Sequence, residues 1–252
     1  MAHPLALGLF PIPFEPDGRI RTRITYLEMT APPPARHYPT PSSLKLALLR
    51  AERCPVGYYR YLYDAVGQPW LWTDRKRMPD EDVQAIIQDE RVTILIPYVG
   101  GVPAGFAELD ARAGTEVNLS YFGLAPEFLG LRLGGFFLRR VVAEAWTGNT
   151  TRLTVNTCTL DHPRALAVYQ SVGFNPIATR DVLFDPGPYA RPGQCPTANT
   201  RRQPNSGPIS AAAGPTRSRI APIRSWSCPM AASTWYGRTA GCAWPVQTAA
   251  PR

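Results

Sequence analysis

No lysine, aspartate or glutamate occurs in residues 187–252, where eight arginines are the only charged side chains. The formal net charge of +8 therefore sits wholly in that stretch, and residues 1–186 balance at 19 basic against 19 acidic side chains. A charge of that size would suggest a nucleic-acid or membrane partner if it were spread over the chain. Confined to the last quarter, it argues against a nucleic acid as the partner of the remainder. Further absences narrow the field. No run of 18 apolar residues occurs, so no membrane-spanning helix is expected. The opening "MAHPLALGLFPIPFEPDG" is apolar but holds four prolines and no basic leading segment, which fits neither a signal peptide nor a span. The expected location is the cytoplasm. The five cysteines (Cys54, Cys158, Cys195, Cys228 and Cys242) include no CxxC pair, which removes a zinc site or dithiol motif, and no metal is expected. Only two of them lie before residue 187, which fits a reducing compartment. Neither GxxxxGK[ST] nor GxG occurs, so phosphate-loop and dinucleotide fingerprints are both missing. No period of 20–50 residues repeats.

The arginine-bearing stretch reads "ARPGQCPTANTRRQPNSGPISAAAGPTRSR" and has no helical or strand periodicity. Such a composition buries too little apolar surface to offset the entropy of ordering. Three readings stand: a disordered C-terminal extension, an out-of-frame piece of a GC-rich message, or an Arg-rich arm for RNA or anionic lipid. The expected organisation is an N-terminal extension over 1–19, a folded domain over 20–186 and this tail over 187–252.

Within 20–186 the pattern is legible. "RIRTRITYLEM" (19–29) alternates as a strand, and "TAPPPARHYPTP" after it is loop. "SSLKLALLRAER" repeats apolar residues at helical spacing behind Ser42 and Ser43, which predicts a capped helix. "GYYRYLYDAVGQPWLW" (57–72) predicts a packed helix and a turn, with Tyr59, Tyr63, Trp70 and Trp72 as alternative walls of an acceptor pocket. "PDEDVQAIIQD" (79–89) is an acid-started helix. A β-meander follows: "RVTILIPYV", a GG turn, "VPAGFAELDA", another turn, then "EVNLSYFGL" (116–124). A helix over about 133–146, a strand at 152–160, a short helix at 162–172 and a last strand or pair at 173–184 complete the order.

"SYFGLAPEFLGLRLGGFFLRRVV" (120–142) changes character twice, from extended apolar run to Gly-punctuated turn to amphipathic helix. Gly130, Gly134 and Gly135 stand at the helix mouth with no charged capping residue. Glycine lets backbone approach a ligand closely, and the first-turn N–H groups lack intrahelical partners. Together with the helix dipole they make an anion site, so a phosphate-bearing ligand is expected.

These residues resemble the GNAT (GCN5-related) N-acetyltransferase superfamily. A hairpin leads to a central strand, a Gly-rich turn opens the longest helix, and "ALAVYQSVGF" (165–174) carries a Tyr-x-x-x-Gly-Phe element. "YFGLAPEFLG", "TCTLDHP" and "YRYLYDAVGQPWLW" look like an uncharacterised bacterial subgroup of it. The resemblance covers about residues 20–186. It implies an α/β (α+β) acyl-CoA N-acyltransferase fold, with a central mixed, mostly antiparallel sheet flanked by helices. It further implies an N-acetyltransferase with acetyl-CoA as cosubstrate and an amine-bearing acceptor, small molecule or protein. The oligomeric state, homodimer included, stays open. The pyrophosphate would lie against the backbone of Leu129, Gly130, Leu131, Arg132, Leu133, Gly134 and Gly135, and a bulge would free Phe122, Gly123 and Leu124 for the pantetheine arm. His162 stands where relatives carry a coenzyme-touching asparagine, although a capping neighbour is the plainer role.

An amine attacking a thioester needs positioning, a proton acceptor, and an acid for the leaving thiolate. Tyr169 takes the position of the family's acid. Where the family often carries a glutamate this chain has Asn118, and strand alternation places Glu116, Asn118, Ser120 and Phe122 on one face, making Glu116 a candidate base through water. Leu129 replaces the usual polar leader of the turn and Arg132 replaces a glycine. Two rival readings remain: a domain that binds coenzyme A or a partner without catalysis, and a nucleic-acid binder acting through the tail.

Overall fold

The computed structural model describes residues 14–34, 41 and 44–187. The expected N-terminal extension, the Ser42 and Ser43 caps and nearly all of the tail lie outside them. Eight strands form one sheet in the order β2-β3-β5-β6-β7-β1-β8, with a two-residue β4 (Val102–Pro103) folded back on β3. All neighbours are antiparallel except β6 and β7.

β1 (Ile20–Met29) forms where the alternation predicts, with Ile20, Thr22 and Ile24 buried and Arg21 and Arg23 exposed. It lies between β7 (Arg152–Cys158) and β8 (Asn175–Phe184), paired antiparallel to both. The helix expected behind Ser42 is overturned. Residues Leu46–Ala51 are strand β2, paired with β3 (Val92–Val99) from Leu46↔Val99 to Ala51↔Ile94. Leucines at 44, 46, 48 and 49 fit a period of 2 as readily as 3.6, and the free edge of a buried apolar strand decides between them.

α1 (Val56–Gly67), a 3-10 turn at Gln68–Trp70 and two short helices, α2 (Asp74–Arg77) and α3 (Asp80–Ile87), precede the meander. The acid-started helix is α3, with Pro79 at its N-cap and three acidic residues in its first turn. The meander is β3, a turn through Gly100 and Gly101, β5 (Gly105–Asp110) and β6 (Glu116–Leu124). α4 (Leu133–Ala145) and α5 (Ala165–Ser171) flank β7 in sequence.

The sheet is covered on both faces. On one, Phe137, Leu138 and Val141 of α4 and Tyr169 of α5 pack on Val117, Leu119, Leu124, Leu153 and Val155. On the other, Tyr59, Leu62 and Tyr63 of α1 and Val83 of α3 pack on Ile94, Phe106 and Tyr121. The aromatic run at 57–72 is thus chiefly core: Tyr59, Tyr63 and Trp72 are buried, and Trp70 stays half-buried against His162.

Candidate active site

β6 and β7 run side by side only briefly. Their parallel ladder extends from Glu116↔Arg152 to Leu119↔Val155, yet β6 continues to Leu124 and β7 to Cys158. Where the ladder stops, the β5–β6 register also slips: Glu108 faces Tyr121 while Leu109 faces Leu119, which leaves Ser120 as an extra residue. Such a bulge bends its strand and disrupts local pairing. It is the bulge that the resemblance implies, and it parts β6 from β7.

The bulge also corrects the expected strand face. Before it, Val117 and Leu119 turn toward α4; after it, Phe122 and Leu124 do. Asn118 and Ser120 share a face, Ser120 Oγ donating to Asn118 Oδ1 at 3.1 Å, but Phe122 lies on the other. One inserted residue flips a period-2 pattern. Phe122 stacks on Phe137 at 5.2 Å between centroids and meets Tyr169 edge-on at 6.1 Å. Gly123 faces α1, where a Cβ would collide with Val66 Cγ1. Closeness of helix to strand, rather than a turn, is what requires glycine there.

β6 delivers the chain to the mouth of α4. Gly130 takes φ 81° and Arg132, at the N-cap, φ 57° and ψ 13°. Arginine thus occupies the left-handed conformation that glycine favours. No side chain caps the first turn and no acidic residue stands in it. The N–H groups of Leu133, Gly134 and Gly135 head the helix beside the end of β6, where an added Cβ on Gly134 would lie 3.7 Å from Leu124 Cδ1. Gly130, Leu131 and Arg132 are exposed, Leu129 half-buried and Leu133 buried. An open backbone edge running into an uncapped helix of 13 residues fits an extended ligand ending in phosphates.

Tyr169 is buried and meets Phe174 at 5.8 Å in addition to Phe122. Burial, with a contribution from Asp161, pushes its phenol well above the ordinary range, so it remains a proton donor at all working pH values. The two residues considered for the base stand differently. Glu116 is paired with Arg152, Nη1 to Oε2 at 3.2 Å, and lies about 20 Å of strand from Phe122 at ~3.3 Å per residue. Asn118 spends its amide on Thr154 Oγ1 at 2.9 Å. Neither reaches the opening with a free basic atom. His162 Nδ1 accepts the N–H of Arg164 at 3.1 Å in the turn that leads into α5, and burial and Arg164 lower its imidazole pKa.

Two groups stood outside the sequence reading. Arg75 and the fully buried Glu108 form an ion pair at 2.6 Å, Tyr59 donates to the same carboxylate, and the Arg75 guanidinium lies 5.1 Å from the Tyr121 ring centre. The signal was a lone acid inside "AGFAELDA"; its partner, on a separate short helix, left none. The second is Asp161. Its Oδ2 accepts Cys158 N–H at 2.8 Å and Thr157 Oγ1 at 2.9 Å, and its Oδ1 accepts Trp72 Nε1 at 3.4 Å. Among the described residues no group of three or more His, Cys, Asp or Glu could hold a metal ion, and no helix is long and apolar enough to cross a membrane.

Residues 54–174 match the family model of the acetyltransferase (GNAT) family. Among curated proteins none matches significantly. Similar solved structures include a conserved protein of unknown function from Staphylococcus epidermidis, 14% identical with a TM-score of 0.46 over 65% of this chain and 61% of that one. A GCN5-related N-acetyltransferase from Kribbella flavida is 18% identical, with a TM-score of 0.44 over 66% and 58%. The ribosomal-protein-S18-alanine N-acetyltransferase from Escherichia coli is 19% identical, with a TM-score of 0.42 over 53% and 79%. This chain therefore spans less than two thirds of the first two proteins. The family model, rather than these overall likenesses, carries the assignment: residues 54–174 are an acetyltransferase (GNAT) family domain.

Proposed function

We propose that the protein is an N-acetyltransferase that moves an acetyl group from acetyl-CoA to a primary amine by direct attack in a ternary complex. The observation that carries this reading is the parting of β6 and β7 after Leu119↔Val155, directly before the uncapped amino end of α4. Acetyl-CoA supplies an acyl group activated as a thioester. The chain supplies the rest. The backbone of Phe122, Gly123 and Leu124 offers hydrogen-bonding groups to an extended amide-bearing arm, and Gly130 through Gly135 offer N–H groups to a diphosphate, while the Leu129 N–H is held by the Pro126 carbonyl. Arg132, exposed and permanently charged, adds a planar donor fork suited to phosphate oxygens. Tyr169, kept protonated, gives a proton to the departing sulfur. Residues 20–186 form the unit that does this.

Thermal unfolding with and without acetyl-CoA tests the reading, because a ligand that binds only the native state raises the midpoint. Release of free thiol on adding a primary amine, with the acetylated amine detected by mass spectrometry, distinguishes transfer from binding alone. An unmoved midpoint at millimolar acetyl-CoA overturns the proposal.

A further inference from the structure

Direct attack needs somewhere for the amine proton to go, and the strand residues do not provide it. Glu116 is engaged by Arg152; Glu108 is sealed beneath Tyr59 and Arg75; Asp110 and Asp181 are held by Arg112 and Arg23. His162 has its Nδ1 lone pair committed to Arg164 N–H, so the neutral ring carries its hydrogen on Nε2 and has no second acceptor. The carboxylate of Asp161 stands beside the opening, bonded to the last residue of β7.

Thr159 N–H bonds Arg23 carbonyl on β1, so strand alternation turns the N–H of Cys158 the other way, toward β6. That N–H is taken by Asp161 Oδ2. The carboxylate therefore occupies the gap left where β6 and β7 part. From the other side Trp72 reaches it, its indole N–H on Oδ1, while the same indole packs on Tyr121 of β6 at 5.2 Å. Oδ2 takes two short bonds, whereas the bond that Trp72 gives Oδ1 is long. Trp70 and His162 stand next to this point, 5.4 Å apart edge to face, and both are half-buried rather than sealed.

We propose that Asp161 Oδ1 takes the proton from the acceptor amine in the opening between β6 and β7. The assignment rests on the acetyl-transfer reading. The amine nitrogen forms a bond to the thioester carbonyl carbon and loses one proton to Oδ1. The carbon–sulfur bond breaks, its electron pair leaves on sulfur, and the Tyr169 hydroxyl protonates that sulfur. Asp161 then holds the amine's proton and Tyr169 is left as a phenolate, and proton exchange through solvent restores both groups. The environment suits the task. Burial pushes the carboxyl above the ordinary carboxylate range, opposed by the bonds from Cys158 and Thr157, then Trp72. The titratable groups facing it are Tyr169 and Cys158, and burial and the carboxylate push the Cys158 thiol to about 12, so both stay neutral through the working range.

The test follows thiol release from acetyl-CoA between pH 5 and 9 with n-butylamine as the probe acceptor, alongside calorimetry of acetyl-CoA binding. A base works only when ionised, so wild-type kcat falls as pH drops through the Asp161 pKa. Asp161→Asn is expected to lose ~10²–10⁴-fold in kcat together with that acidic limb, while its acetyl-CoA affinity is retained. Thr157→Val keeps the carboxylate but removes a bond that favours its ionised form, so its limb is expected to move to higher pH. An unshifted limb in Thr157→Val overturns the assignment, and does so even if Asp161→Asn fails to fold. Wild-type activity in a folded Asp161→Asn, or acetyl-CoA affinity falling in step with its kcat, overturns it as well. A wild-type chain that does not bind acetyl-CoA, or binds it without releasing thiol, removes the transfer reading and the assignment with it.

Discussion

At Arg132 two small energies oppose one another. A side chain held at φ 57° costs about 1–2 kcal/mol relative to the right-handed conformation, a cost glycine escapes. Glycine in turn loses about 0.4–1 kcal/mol through its freer unfolded chain. Arg132→Gly is therefore expected to shift the thermal midpoint by only a few degrees. Its effect on acetyl-CoA should be larger: about tenfold weaker binding from the loss of one charge-assisted contact, and a flatter salt dependence. Calorimetry at two salt concentrations measures both, and tighter binding by the glycine variant would show that strain outweighs contact. Tyr169→Phe keeps the ring that packs on Phe122 and Phe174 and removes only the hydroxyl. The expected outcome is a ~10²–10⁴-fold lower kcat at unchanged acetyl-CoA affinity. Lost affinity at normal kcat would make Tyr169 a packing residue instead.

Among the elements, the buried pair of Arg75 and Glu108 ties α2 to β5, and Tyr59 brings α1 into the same cluster. Glu108→Leu strands a guanidinium in the core and should cost ~3–5 kcal/mol in denaturant unfolding. Arg75→Met added to it should recover most of that loss, since an apolar pair of similar volume is often neutral. This cluster also marks where sequence reading ended. α1, α3, α4 and the meander were legible because apolar spacing, acid-started turns and glycine pairs are local signals. The gap between β6 and β7 was legible only through the family likeness. β2 was not, because its leucines fit two periods and a partner about 50 residues away chooses between them. The true face of Phe122 was hidden by one extra residue at Ser120, which no local pattern in "NLSYFG" announces. Asp161 carried no sequence signal, since the indole that reaches it lies 89 positions earlier.

For the whole molecule, the family match covers 54–174 while the sheet does not end there. β8 pairs with β1, and β1 buries Ile20, Ile24 and Leu27 against the two cores. A chain starting at residue 30 would leave β8 without its neighbour and open the edge of β7. It should be insoluble or lack a cooperative thermal transition; a normal transition would mean that β1 is dispensable. Ending the chain after Gly187, by contrast, retains every described element, including the bond from Arg77 to the Asp185 carbonyl. Its midpoint should match that of the full chain.

The position of β1 has a further consequence in time. Arg23 meets Asp181 across 158 positions and Thr22 meets Thr159 across 137. Of the described strands, β1 leaves the ribosome first and must wait for β7 and β8 before it can pair. Synthesis at about 5–20 residues per second makes that a wait of several seconds to half a minute, with Ile20, Ile24 and Leu27 uncovered meanwhile. The half-built sheet is the form a chaperone would meet. Its completion is a late, long-range closure that depends on residue 184 having cleared the exit tunnel.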